Sequence, residues 1–201
     1  MKPRTAVFSV ALVALVAGAV VTSSAFTSAT LSRNANIDVV SDDAGLVELQ
    51  PGATSVVYTS TDGQLAIDFA QTGATGVNGN AEFTFGSSTN LTGASGPSDV
   101  AAHDYAFTIG LNDQLNGTAN TLELAYTDTD SNSDANVEFT VYTAGGSAVT
   151  TASEESNGVI TDPSTDTTYY VVMTVDTGAG NAATVLGSAD DLSGTLTITT
   201  A

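Results

Sequence analysis

Asp128-Thr129-Asp130-Ser131-Asn132-Ser133-Asp134 sets an oxygen ligand at every second residue. Calcium takes about six to eight oxygens at about 2.3–2.6 Å. An Asp-x-Asp-x-Asn spacing aims several side chains at one ion, so Asp128, Asp130, Asn132 and Asp134 are the candidate cation ligands. Calcium is the only cofactor the chain suggests. The helix-loop-helix form of such a site fails here. Ser133 stands where the turn glycine belongs, and Phe139 where the closing bidentate glutamate belongs. The plainer reading is a polar hairpin loop between Tyr126 and Val137.

His103 is the single histidine. A zinc-protease helix needs two imidazoles one turn apart, which one histidine cannot supply. His103 and Asp104 supply two members of a nucleophilic triad, but no Gly-x-Ser-x-Gly turn presents a serine. With these parts missing, the chain does not read as an enzyme. Asn90-Leu91-Thr92 and Asn116-Gly117-Thr118 are glycosylation sequons in expected loops, which makes Asn90 and Asn116 candidate modification sites.

The opening residues bear on whether those sequons meet glycosylation machinery. Lys2 and Arg4 precede an apolar run, Ala6 to Val21, and Thr22-Ser23-Ser24-Ala25 follows with small residues. That is the pattern of a cleaved secretory leader. The run falls short of the roughly 20 residues of a spanning helix. Residues 1–25 therefore read as a signal peptide cut after Ala25, and the mature protein as secreted and not inserted in a membrane. Residues 26–40 read as an N-terminal strand segment and 41–201 as one domain. After the cut, Arg33 is the only base against 22 acidic residues. No patch remains to neutralise phosphates, which excludes nucleic acid and anionic membrane surfaces. At molar salt the screening length falls to about 3 Å and self-repulsion largely vanishes. Acidic, free of lysine after the leader and rich in Thr, Ser, Ala and Gly, the chain reads as halophilic. With no cysteine, no disulfide framework holds it.

The rest of the chain is strand-like. Ala29, Leu31, Arg33, Ala35, Ile37 and Val39 alternate with Thr30, Ser32, Asn34, Asn36 and Asp38. Residues two apart share a strand face. Leu46–Leu49 predicts a short strand stopped by Gln50-Pro51-Gly52. Val56–Tyr58 and Leu65–Phe69 flank an Asp62-Gly63 turn and predict a hairpin. Phe83 and Phe85 share a strand face. Gly86 to Ala102 predicts a long structureless loop. Tyr105–Leu111, Leu122–Tyr126 and Val137–Tyr142 alternate cleanly, and Thr168–Val175, apolar on both faces, predicts a central strand. Ser147 to Ser164 predicts a polar connection with one short strand at Val159-Ile160. Leu196–Ile198 closes the series. About ten short strands without helical periodicity predict an all-β fold, an antiparallel β-sandwich or jelly roll.

Ala25-Phe26-Thr27-Ser28, the strand through Val39, Leu49-Gln50-Pro51-Gly52 and Gly194-Thr195-Leu196-Thr197-Ile198 together resemble secreted proteins of haloarchaea. Those are similar to the TasA/camelysin superfamily of biofilm-matrix fibre proteins and to archaeal bundling pilins. The resemblance implies a jelly-roll subunit whose mature N-terminal strand completes the sheet of the next subunit. The donor segment would run from Phe26 to Val39, with Phe26, Ala29, Leu31, Ala35, Ile37 and Val39 as its inserting residues, and the partner would be the protein itself. A monomeric surface module binding calcium or glycan through Gly86–Ala102 and Asp128–Asp134 is the alternative. A virion structural protein is a third reading.

Overall fold

The computed structural model describes residues 45–69, 77–115, 121–129, 136–165, 167–179, 185–186 and 192–201, all within the unit Val39–Ala201. The leader and the segment 26–40 lie outside the described residues. The fold is all-β and antiparallel. Its strands are β1 Val47–Pro51, β2 Val57–Thr59, β3 Leu65–Ile67, β4 Glu82–Phe85, β5 Phe107–Leu111, β6 Thr121–Asp128, β7 Val137–Thr143, β8 Ala148–Ser153, β9 Gly158–Thr161, β10 Tyr169–Asp176 and β11 Gly194–Thr200. A six-stranded sheet runs β1-β5-β10-β7-β8, with β4 also paired to β10. Opposite it lie a three-stranded sheet, β11-β6-β9, and the β2–β3 hairpin.

The alternating segments bury as their period requires. Phe107 and Ile109 of β5, Phe139 and Val141 of β7, and Val171 and Met173 of β10 meet Leu122 and Leu124 of β6 and Ile160 of β9. The Tyr126 and Phe139 rings pack across the layers with centroids 5.4 Å apart. Strand β10 is central, as its two apolar faces predict, and Tyr170 and Val172 turn away from this core into a second cluster with Tyr142 and Leu91.

That second cluster corrects the loop expected over Gly86–Ala102. Residues Ser88–Gly93 form a helix, α1, capped by Ser87, whose Oγ accepts from the Asn90 N–H at 3.2 Å. Leu91 is its one buried residue and covers the outer face of the large sheet. A helix of six residues with one buried side chain carries no legible period. The excursion leaves one strand line and rejoins it. Phe85 of β4 is opposite Met173, and Phe107 of β5 is opposite Val171, so β4 and β5 lie end to end along β10. Gly86 bridges Tyr105 and the Ser87 N–H donates to the Asp104 carbonyl at 2.8 Å, closing the neck of an Ω-like loop.

Two glycines make this possible. Gly86 has φ +105°, and a Cβ there would stand 2.9 Å from the Asp104 carbonyl oxygen and 3.2 Å from a Val172 methyl carbon. Gly146, at φ +77° in the β7–β8 turn, lies so close beneath α1 that a Cβ would overlap the Leu91 carbonyl and Thr92 Cα.

Three further expectations change. Strands β6 and β7 do not pair but belong to different sheets, so the connection between Tyr126 and Val137 is not that of a hairpin. Strand β1 runs through Gln50 and Pro51 instead of stopping there. Its proline stands on the edge of the sheet, where a missing donor is tolerated. Strand β8 was hidden in the stretch expected to be a polar connection, because Ala-Val-Thr-Thr-Ala-Ser lacks an alternating apolar face.

Gly86→Ala is expected to destabilise the domain by about 1–3 kcal/mol through overpacking at the neck. The check is the denaturant midpoint measured in molar salt.

Candidate functional site

The neck of the excursion is held by one carboxylate. Asp104 is 3% exposed. Its Oδ1 accepts from Asn90 Nδ2 at 2.5 Å, and its Oδ2 from the Ala101 N–H at 2.8 Å. His103 Nε2 lies 3.4 Å from Oδ1 on a side chain that is 72% exposed. The Asn90 hydrogen bond, then that of Ala101, hold the Asp104 carboxyl below the ordinary aspartate range, against burial. The expected His–Asp neighbours are thus in contact, but the carboxylate tethers backbone and α1. Asn90 lies on α1, not in a loop, and its side-chain amide, the atom a glycan would occupy, serves this tether. Asn116 lies outside the described residues.

A second acidic pair stands where β6, β7 and β8 approach. Glu154 Oε1 accepts from the Val137 N–H at 2.6 Å. Glu154 Oε2 and Asp128 Oδ2 are buried atoms without a hydrogen-bond partner. Burial above all, with repulsion from Asp128 adding to it, pushes the Glu154 carboxyl up. Of the expected cation ligands, Asp128 ends β6. Asp130, Asn132 and Asp134 lie outside the described residues. Among the described residues no three His, Cys, Asp or Glu side chains gather as a metal set.

The remaining candidate is the second layer itself. Around β5, β6, β7 and β10 the core residues are buried. On β3 and β11 of the second layer they are only half-buried, Leu65, Ile67, Leu196 and Ile198, as are Val47 and Leu49 of β1 and Phe83 and Phe85 of β4 in the large sheet. Phe69, just after β3, packs in a tilted arrangement on Phe85 at a centroid distance of 5.4 Å. The second layer is split between the β2–β3 hairpin and the β11-β6-β9 sheet, and among the described residues β11 pairs only with β6. Phe26, Ala29, Leu31, Ala35, Ile37 and Val39, the expected inserting residues, lie outside the described residues.

Sequence reasoning missed the Asn90–Asp104 tether and Glu154, which carry no spacing signal. It singled out β11 as a strand without marking its edge. Among the described residues no helix is long and apolar enough to cross a membrane. Comparison with protein-family models, curated proteins and solved structures finds no match.

Asp104→Ala leaves two donors unpaired and is expected to cost about 1–3 kcal/mol. It should open residues 86–105 to protease while the sheets stay folded. Because the folded carboxyl titrates low, its stabilisation is present above the ordinary aspartate pKa and lost as pH falls through the folded value. The gap between variant and parent should therefore close in acid. Glu154 has the opposite sign. Its folded pKa is raised, so the fold favours the protonated form and this contribution is lost as pH rises through the folded value. Glu154→Gln should melt higher than the parent above neutrality and converge with it near pH 4, read by thermal melts at constant molar salt.

Proposed function

We propose that this protein is a secreted structural subunit of a halophile that polymerises into extracellular fibres, adding its segment Phe26–Val39 to the sheet of a neighbouring copy. The observation that carries this reading is the split second layer, whose apolar residues on β3 and β11 are only half-buried. The energetics favour strand addition over loose association. Burying Leu31, Ile37 and Val39 yields about 1.5–3 kcal/mol each. Ordering the segment costs roughly 1–2 kcal/mol per residue in backbone entropy. Side chains alone do not offset that, and a ladder of strand hydrogen bonds supplies the difference. A contact in which one copy donates and the next accepts is heterologous and propagates into a filament unless it closes.

An enzymatic role finds no support in the parts on hand. His103 is largely exposed, and Asp104 is engaged by Asn90 and Ala101. The second reading, a monomeric surface module that binds calcium, draws on the unpartnered oxygens of Asp128 and Glu154.

The chain from Phe26, expressed in molar salt, is expected to form filaments of uniform width under negative-stain electron microscopy. Removing residues 26–40 should leave a folded domain that no longer polymerises. A full chain that stays monomeric at high concentration, with a melting temperature raised by calcium, would favour the surface module instead.

A further inference from the structure

We infer that the acceptor for Phe26–Val39 is the open edge of β11, through the backbone groups of Gly194, Leu196, Ile198 and Thr200. The inference rests on the assembly reading and names the surface that reading requires. Natural edge strands are protected by charge, proline, bulges, shortness or a covering element. Strand β1 carries Glu48 and Pro51. Strand β4 begins with Glu82. Strand β8 has a register shift against β7 at Val141/Tyr142 and lies against β9, where the Val159 N–H donates to Thr150 Oγ1 at 3.0 Å. Strands β2 and β3 have 3 residues each and β9 has 4. Strand β11 has 7 residues, Gly-Thr-Leu-Thr-Ile-Thr-Thr, with no charge and no proline. It pairs with β6 over its whole length without a register shift.

Hydrogen-bond parity says which groups face outward. Thr121 and Ala201 exchange both backbone bonds, at 2.9 and 3.2 Å, and the Thr129 N–H donates to the Ser193 carbonyl at 2.8 Å. Bonded pairs alternate with non-bonded pairs along an antiparallel ladder. In this register the groups of Thr195, Thr197 and Thr199 face β6. Those of Gly194, Leu196, Ile198 and Thr200 point to the opposite side, where no strand is paired among the described residues. The same parity places Leu196 and Ile198 half-buried against the core and leaves Thr195, Thr197 and Thr199 exposed.

The segment Phe26–Val39 has matching two-sided chemistry. Leu31, Ile37 and Val39, on a face that Ala29 and Ala35 keep small and that carries one charge, Arg33, alternate with Thr30, Ser32, Asn34, Asn36 and Asp38. Laid beside β11, it continues the apolar face of Leu196 and Ile198 inward and the Thr face outward. A slip of one residue would invert both faces, so the pattern also sets the register class.

The test is residue-resolved amide hydrogen exchange on the chain from Phe26 in molar salt, compared with its Ile37→Asp variant. That substitution breaks the apolar face of the segment and leaves the domain from Gly45 onward untouched. The amides of Gly194, Leu196, Ile198 and Thr200 should exchange at least about tenfold more slowly in the parent than in the variant. Those of Thr195, Thr197 and Thr199 should be equally protected in both. Edge amides that exchange equally fast in parent and variant overturn the inference; if filaments form nonetheless, the assembly reading stands with another acceptor. Edge protection without filaments upholds β11 as the acceptor and overturns assembly between copies, because the segment then closes on its own chain.

Discussion

Strand β10 must be covered on both faces, and the rest of the domain is arranged around that constraint. Tyr169, Val171, Met173 and Val175 turn into the sandwich, while Tyr170 and Val172 turn outward. A strand apolar on both faces gains from folding only where both are removed from water. The inner face meets the opposing β6. Among the described residues the outer face has no second sheet, and its cover comes from within the same strand line. The chain leaves the line at Gly86, lays Leu91 over Tyr142, Tyr170 and Val172, and returns at Tyr105, whose ring meets Tyr170 at a centroid distance of 5.2 Å. The bare positions at Gly86 and Gly146 follow from that detour, because backbone must approach backbone where α1 sits on the sheet.

The detour is poor in apolar residues, which explains why a carboxylate holds it. Among the described residues, besides Leu91, only Val100, Tyr105 and Ala144 join Tyr142, Tyr170 and Val172 in the outer cluster. Burying Asp104 carries a desolvation cost, offset only when its oxygens find donors. The Asn90 side chain and the Ala101 N–H supply them from opposite limbs of the excursion. The bonds therefore close a loop that apolar packing alone would hold weakly. Glu154 is the contrasting case. One oxygen has the Val137 N–H, but the other has no partner and lies near Asp128, so burial there works against the charged form.

Legibility followed period and burial. Strands β5, β6 and β7 announce themselves by alternation, and β10 by apolar residues on both faces, because each packs against the core. The β2–β3 hairpin was readable from Asp62-Gly63, a local signal of turn chemistry. Strand β8 and helix α1 were not readable, since one is made of Thr, Ala and Ser and the other buries a single leucine. Which strands pair was equally hidden. The Asp-rich stretch after Tyr126 looks like a turn, yet it joins strands in different sheets, which no local spacing announces. The neck carboxylate Asp104 could not be told from a surface acid, because its partners arrive from 14 and 3 residues away, at no diagnostic spacing.

The acidity of the chain and the bareness of β11 belong together. An uncharged edge of alternating Thr, Leu and Ile is a template for another strand. With 22 acidic residues against three basic ones, copies repel at low ionic strength, and that repulsion protects the edge from a distance without any charge on the strand itself. At molar salt the screening length is about 3 Å, shorter than the spacing between neighbouring strands, so distant charges no longer guard it. Under the conditions the composition suits, the edge is left with its local chemistry alone, which is that of a strand awaiting a neighbour. A bare edge in such a chain is stable as a design only if an occupant takes it before a random partner does.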